Sequence, residues 1–240
     1  MNKITKWFNR VLDIFYVKKC VACGELLTYD HDGYLCPKCE DEWTEAKELL
    51  CEHCMEMQKN CRCGFGRQYV DGVRHLAIYD HDEHDYITNR IVYALKKGGF
   101  VEIFDFVSEE MANELVEKRM LQNAVVVNVP RNPKSIKKYG YDHARKLAVR
   151  LADRLELEYV DFLRHSRSKT EQKMLNKEQR DLNAKTNCYA RQKYAPKIKG
   201  KTVLLVDDIG TTGAMTGACA SLLHRHGADK IYCILAAKNK

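Results

Sequence analysis

Long apolar runs are missing where an export or membrane signal would need one: the first twenty residues break their apolar positions with Lys6, Arg10 and Asp13. Neither a signal-peptide core nor a membrane span can be read there, so the expected location is cytoplasmic, with no transmembrane segment. Ile4, Trp7, Phe8, Val11, Leu12 and Phe15 recur at helical spacing and read as a packing face rather than a membrane-surface or partner helix. Low-complexity tracts are also absent, and no internal repeat shows beyond the first 66 residues. With 240 residues, 45% of them hydrophobic, the chain can bury one substantial core and carry a small appendage.

Large aliphatic side chains are scarce between Cys20 and Cys63, too few for that segment to fold on burial alone. What it has instead is thiol, with eight of the eleven cysteines; only Cys188, Cys219 and Cys233 lie beyond. Without a secretion signal the thiols stay reduced, which argues against a disulfide scaffold. Cys20-x-x-Cys23 and Cys36-x-x-Cys39 form two tight pairs whose spacing lets two thiolate knuckles close a tetrahedron around Zn2+. Cys51-x-x-Cys54 and Cys61-x-Cys63 form a second quartet whose last pair is one residue short of the usual knuckle. The quartets can each hold a metal or interleave, so one or two zinc ions are expected. His53 reads as a solvated surface residue rather than a ligand. All-sulfur ligand sets leave no open position for water, so the zinc is expected to be structural and to stabilise the segment through coordination.

After Cys63 the composition changes. Gly64, Gly66 and Gly72 punctuate a connector, and apolar segments then alternate with helical patterns. The expected division is a cysteine-rich module with an N-terminal helix over residues 1–66 and a second domain over 67–240. Val73 to Tyr79, Ala124 to Val129, Thr202 to Val206 and Ile231 to Ala236 read as strands, the second stopped by Pro130. Helical periods run through Ile87 to Leu95, ending at Gly98-Gly99, through Ala144 to Leu155, and through Met215 to Leu223, ending at Gly227. This alternation predicts a parallel α/β sheet with helices.

The most informative stretch is Val203-Leu-Leu-Val-Asp-Asp-Ile-Gly-Thr-Thr-Gly-Ala-Met-Thr216. A buried strand delivers two acids to its carboxyl end, and a small-residue loop then opens a helix. Ligands of open α/β sheets bind at that end of the strands, and a helix N-terminus preceded by Gly and Thr offers amides and hydroxyls to a phosphate. Asp207 and Asp208 can accept hydrogen bonds from vicinal hydroxyls of a ribose whose 5-phosphate sits in the loop. Two other readings stand beside this one: an acidic turn that binds nothing, and a phosphate-binding turn of another α/β family.

An apolar strand followed by Asp-Asp-x-x-Thr-Thr-Gly resembles the phosphoribosyl pyrophosphate (PRPP) loop of type I phosphoribosyltransferases. The resemblance implies that Asp207 and Asp208 hold the ribose hydroxyls and that Thr211, Thr212, Gly213 and Ala214 hold the 5-phosphate, with Mg2+ bound through pyrophosphate and ribose oxygens. The family commonly has Thr or Ser where this chain has Met215, and Thr216 follows one place later. Further segments resemble the ComF (competence protein F) family: Tyr139-Gly140-Tyr141-Asp142-His143 stands where that family has Arg-Gly-Phe-Asn-Gln. Arg167, Thr170, Gln172, Leu175, Arg180 and Asn183 keep the spacing of its long segment before the PRPP strand. Tyr93-Ala-Leu-Lys96 with Gly98 is similar to its leucine-lysine helix end. The resemblance implies a phosphoribosyltransferase-like fold with a zinc-ribbon-like module, a part in DNA uptake, and partners among a competence ATPase and DNA-loading proteins.

Charge separates the functional readings. Between Arg131 and Lys201 there are 20 Lys or Arg against 8 Asp or Glu, a local net of +12 in a chain whose total is +7. That excess can neutralise a pyrophosphate or follow a single-stranded DNA backbone, or it can be a solvated lid. Tyr139, Tyr141, Phe162, Tyr189 and Tyr194 interleave with it as candidates for stacking on bases. An active Mg2+-dependent phosphoribosyltransferase, a DNA-binding protein with a surviving PRPP site, and a zinc-tethered scaffold are the three readings. Asp207→Asn/Asp208→Asn separates the last from the other two. No acceptor-base pocket is recognisable in the sequence.

Overall fold

A computed structural model of the protein describes residues 18–28, 30–48, 69–97, 101–115, 118–165, 188–210 and 213–239. The expected N-terminal helix, the Cys51 to Cys63 quartet, the 66/67 boundary, Gly98-Gly99, and the segment carrying Arg167 to Asn183 lie outside them. The strands are β1 (Gly72–Tyr79), β2 (Ala124–Asn128), β3 (Glu158–Tyr159), β4 (Leu163–His165), β5 (Cys188–Ala190), β6 (Thr202–Gly210) and β7 (Lys230–Asn239). The α-helices are α1 (Pro37–Glu48), α2 (Ile87–Lys97), α3 (Glu102–Glu114), α4 (Lys118–Leu121), α5 (Pro133–Tyr139), α6 (His143–Arg154) and α7 (Ala214–Arg225).

Five strands form one sheet in the order β1-β7-β6-β2-β3, all parallel, and β4 pairs antiparallel with β5 beside it. The expected α/β parallel sheet is therefore present. Its central strands are apolar at consecutive positions because both faces are covered. On β6, Leu204 and Val206 enter one hydrophobic cluster with helices α2, α3 and α6, while Val203 and Leu205 enter another with α7 and the β4–β5 ribbon. Helix α6 follows the same logic: Leu147, Ala148, Leu151 and Ala152 form one buried stripe. Its alanines let the backbone lie close to the sheet, and each buried leucine contributes about 1.5–3 kcal/mol.

Local signals set the connection between β2 and α6. Asn132 caps α5 by accepting from the Lys134 amide at 2.9 Å, and Pro133 stands where a missing N–H costs nothing. Gly140 ends the helix at φ +83°, a left-handed conformation that favours glycine, and donates to the Ile136 carbonyl at 2.8 Å. Asp142 then caps α6 through the Arg145 amide at 3.0 Å. The Tyr139 to His143 element is thus a helix stop followed at once by a helix start.

The cysteine-rich head packs onto the sheet's helices. Trp43 and Ala46 of α1 share a hydrophobic cluster with Ile87 and Phe106, and the Trp43 ring meets Phe106 edge-on at 5.7 Å. The indole N–H of Trp43 and the ammonium of Lys47 both reach Glu110, each at 2.7 Å. No helix among the described residues is long and apolar enough to cross a membrane.

Candidate functional site

Chain direction reverses between β6 and β2: from β6 the chain moves to β7 on one side, and from β2 to β3 on the other. Such a switch point opens a crevice at the carboxyl ends of the two strands. Strand β6 brings Asp207 and Asp208 there, and β2 is followed by Val129, Pro130 and Arg131. The Val129 amide still donates to the Val206 carbonyl at 2.9 Å, which fixes Arg131 opposite the acids. The predicted strand end is longer than expected, since β6 runs through both acids to Gly210.

Adjacent on one strand, the acids meet different surroundings. Asp208 is 2% exposed, on the same side of β6 as Leu204 and Val206, and forms an ion pair with Arg131. Burial alone would push its carboxyl up, but the guanidinium outweighs that and holds it below the usual carboxylate range. Asp207 is driven well above that range by burial first and by the neighbouring Asp208 charge second. Their surroundings thus push the two carboxyls in opposite directions. Local amides order both groups: the Asp208 N–H donates to Asp207 Oδ1 at 2.8 Å, and the Ile209 N–H to Asp208 Oδ1 at 2.9 Å.

Two further groups complete the crevice floor. His143, the first residue of α6, is 0% exposed, neither of its ring nitrogens has a hydrogen-bond partner, and burial lowers its pKa to about 4. Tyr139 and Tyr141 flank it edge-on at 5.2 and 4.9 Å. The Arg131 Nε–H is likewise buried without a partner. Neither residue was singled out for this crevice in the sequence. The available signal for Arg131 was its place immediately after the Val129-Pro130 strand stop.

Of the other site residues expected from sequence, Gly213 adopts φ +70° immediately before α7, and Ala214 opens that helix on its exposed surface. Thr216 is buried in the first turn, and Met215 packs against the hydrophobic cluster around Val203 and Leu205. Thr211 and Thr212 lie outside the described residues. Of the stacking candidates, Phe162 is 0% exposed and belongs to the core, which removes it from any surface role. Tyr141 is tied down by its hydroxyl donating to the Leu95 carbonyl. Part of the basic excess is also neutralised internally, since Arg164 and Arg191 both pair with Asp161 and Lys197 pairs with Glu158.

In the head, Cys20, Cys23, Cys36 and Cys39 place all four sulfurs within 4.8 Å of one another. The first quartet thus converges on itself. A tetrahedron with metal–sulfur bonds of about 2.3 Å has edges of about 3.8 Å, and Cys23 and Cys36 already lie 3.8 Å apart. The chemistry and spacing fit a zinc module. Arg90 of α2 points a guanidinium N–H at Cys39 Sγ, 3.5 Å away, and pairs with Glu42, tying the metal-ligand set to the sheet domain.

A parallel sheet with an acidic pair at its switch point and a glycine-led helix after it is a phosphoribosyltransferase-type domain, and residues 142–240 match the phosphoribosyl transferase domain family. Over 232 residues, 89% of this chain and 96% of the relative, the sequence is 26% identical to the competence protein ComFC of Streptococcus pneumoniae. The chain is thus similar to a competence protein over most of its length, and it joins a cysteine-rich head to a phosphoribosyltransferase-like domain.

Proposed function

We propose that this protein acts in DNA uptake during natural transformation, binding a PRPP-type phosphoribose ligand at the switch point and single-stranded DNA on its basic surface. The observation that carries the ligand is the Asp207–Asp208 pair, with the left-handed Gly213 opening α7 a few residues later. The two carboxyls offer acceptors to vicinal hydroxyls, and the α7 N-terminus offers amides to a phosphate. Mg2+ enters with the pyrophosphate of such a ligand. The DNA reading rests on the exposed Lys134, Lys137 and Lys138 of α5, alongside the crevice, and on the relative named a competence protein. In the head, zinc in the Cys20, Cys23, Cys36 and Cys39 set supplies structure; a second zinc would use the Cys51 to Cys63 quartet. A competence ATPase and DNA-loading proteins are the partners this role brings.

Calorimetric titration of the zinc-loaded protein with PRPP and Mg2+, and with single-stranded DNA at two salt concentrations, tests both halves. The expected result is PRPP binding that Asp207→Asn/Asp208→Asn abolishes, and DNA binding that weakens with salt. Changing Lys134, Lys137 and Lys138 together to Gln should reduce the salt slope by about 2. DNA binding indifferent to salt and to these lysines would remove the DNA half.

A second reading, Mg2+-dependent phosphoribosyl transfer to an acceptor, is favoured by one feature. The buried Asp208 charge is already fixed at the switch point, and such preorganised charge stabilises an oxocarbenium-like ribose at little reorganisation cost. Pyrophosphate release from PRPP in the presence of candidate acceptors measures it. No release above the rate of Asp207→Asn/Asp208→Asn would leave the binding role alone.

A further inference from the structure

The carboxylate best placed to read a ribose is not free. Asp208 is 2% exposed and its charge is taken by Arg131, which reaches it from the end of the neighbouring strand across 77 positions of sequence. We propose that this ion pair is a specificity gate: Arg131 must leave Asp208 before a ribose can use it, and only a ligand that also brings a second anionic group gives the guanidinium somewhere to go. The inference rests on the phosphoribose reading above and adds to it a rule for which phosphoribose ligands are admitted.

Physical chemistry supplies the rule. Separating a buried pair leaves both charges poorly solvated, so a neutral hydroxyl pair competes badly with a guanidinium for the same carboxylate. A guanidinium prefers planar, bidentate oxyanions, so a pyrophosphate group is a full replacement for the partner it surrenders. The crevice is prepared for that exchange. Arg131 Nε–H has no acceptor, and neither ring nitrogen of the adjacent His143 has a partner, so three buried polar atoms beside Asp208 await a ligand. Asp207 and Asp142 add to the field on Arg131, so the guanidinium stays charged wherever it moves within the crevice. A ribose 5-phosphate alone engages the α7 end but leaves the pair closed, whereas PRPP satisfies both ends at once.

Thermodynamic reciprocity makes the gate measurable without a mutation. In wild-type protein with Mg2+ held constant, inorganic pyrophosphate should tighten ribose 5-phosphate binding by threefold or more, and ribose 5-phosphate should tighten pyrophosphate by the same factor. In Arg131→Met the preference for PRPP over ribose 5-phosphate should fall by tenfold or more, with ribose 5-phosphate binding at least as tightly as in wild type. Arg131→Lys, a cation without the planar fork, should fall between the two. Independent binding of the two ligands in wild type, or an equal weakening of PRPP and ribose 5-phosphate in the Arg131 variants, would overturn the gate while leaving the phosphoribose site standing. Failure of wild-type protein to bind PRPP at all would instead remove the site, and the gate with it.

Discussion

The head and the sheet domain solve the same stability problem by different means. The sheet buries apolar strands on both faces, from Val125, Val126 and Val127 of β2 to Leu204, Leu205 and Val206 of β6. Over its described residues the head buries little more than Val21, Leu27, Leu35, Trp43, Ala46 and three cysteines, and part of that surface is covered only by docking on Phe106 and Ile87. A core of that size is in the range where small modules are commonly stapled by a metal or another cross-link. The sheet domain can then place unfavourable groups, two adjacent acids and an unpartnered histidine, at its switch point because the surrounding core holds them there. The head has no such margin; what it has is four cysteine sulfurs brought together where a metal ion could be held.

The largest effect that would break this comparison is metal removal. Chelation should cost the head on the order of 10 kcal/mol of coordination energy, and Cys36→Ser, which removes one of four ligands, a part of that. It should also expose the Phe106 face, read as dye binding and as a separate early unfolding transition while the sheet domain melts later. A single unchanged transition would mean that the head does not depend on metal.

Next in size is the contrast between the two acids. Asp208→Ala leaves Arg131 buried without its partner and should destabilise the protein by about 3–5 kcal/mol. Asp207→Asn replaces a carboxyl that burial and the Asp208 charge already push toward its neutral form, and should change stability by less than about 1 kcal/mol. Equal effects in denaturant titrations would erase the asymmetry.

Acid sharpens the comparison further. His143, with its pKa lowered to about 4, and His75, lowered to about 3 by burial and then by Lys238, both fold in the neutral form. A depressed folded pKa contributes stability that is present above the unfolded value of 6.5 and lost as pH falls toward the folded one. Each should therefore remove up to about 1.4 kcal/mol per pH unit below 6.5. Asp207 works in the opposite sense: its raised pKa gives stability at low pH that is lost as pH rises through the folded value. Thermal melts between pH 7 and 4 should show a net decline, flattened by His143→Gln. The smallest effect is Trp43→Phe, which removes the indole bond to Glu110 and should cost about 1 kcal/mol, seen as earlier loss of the head's transition.

Much of the fold was legible because its signals are local. The β-branched run at Ala124 to Val129 and the apolar segment from Thr202 both became central strands, the first ending at Asn128 and the second running on through the acids to Gly210. The Cys20 to Cys39 spacing read as a metal set, and the four sulfurs converge. The acidic pair and the glycine-led helix were visible as Asp-Asp-Ile-Gly-Thr-Thr-Gly. Helix α5 was not read from the sequence, because its signals, Asn132-Pro133 and Gly140, are capping chemistry rather than hydrophobic period. Interactions set by β2–β6 register were out of reach. Nothing local says that Arg131 will face Asp208, that the two acids will be pushed in opposite directions, or that His143 will be buried without a partner. Trp43 docking on Glu110 and Phe106 likewise depends on a helix orientation that no spacing encodes.

The most direct measurement is a crystal structure of the zinc-loaded protein with PRPP and Mg2+. The account predicts ribose hydroxyls within hydrogen-bond distance of Asp207 and Asp208, the 5-phosphate at the start of α7, and Arg131 turned from Asp208 to the pyrophosphate. PRPP bound elsewhere, or a crevice in which those acids touch no ribose, would contradict it.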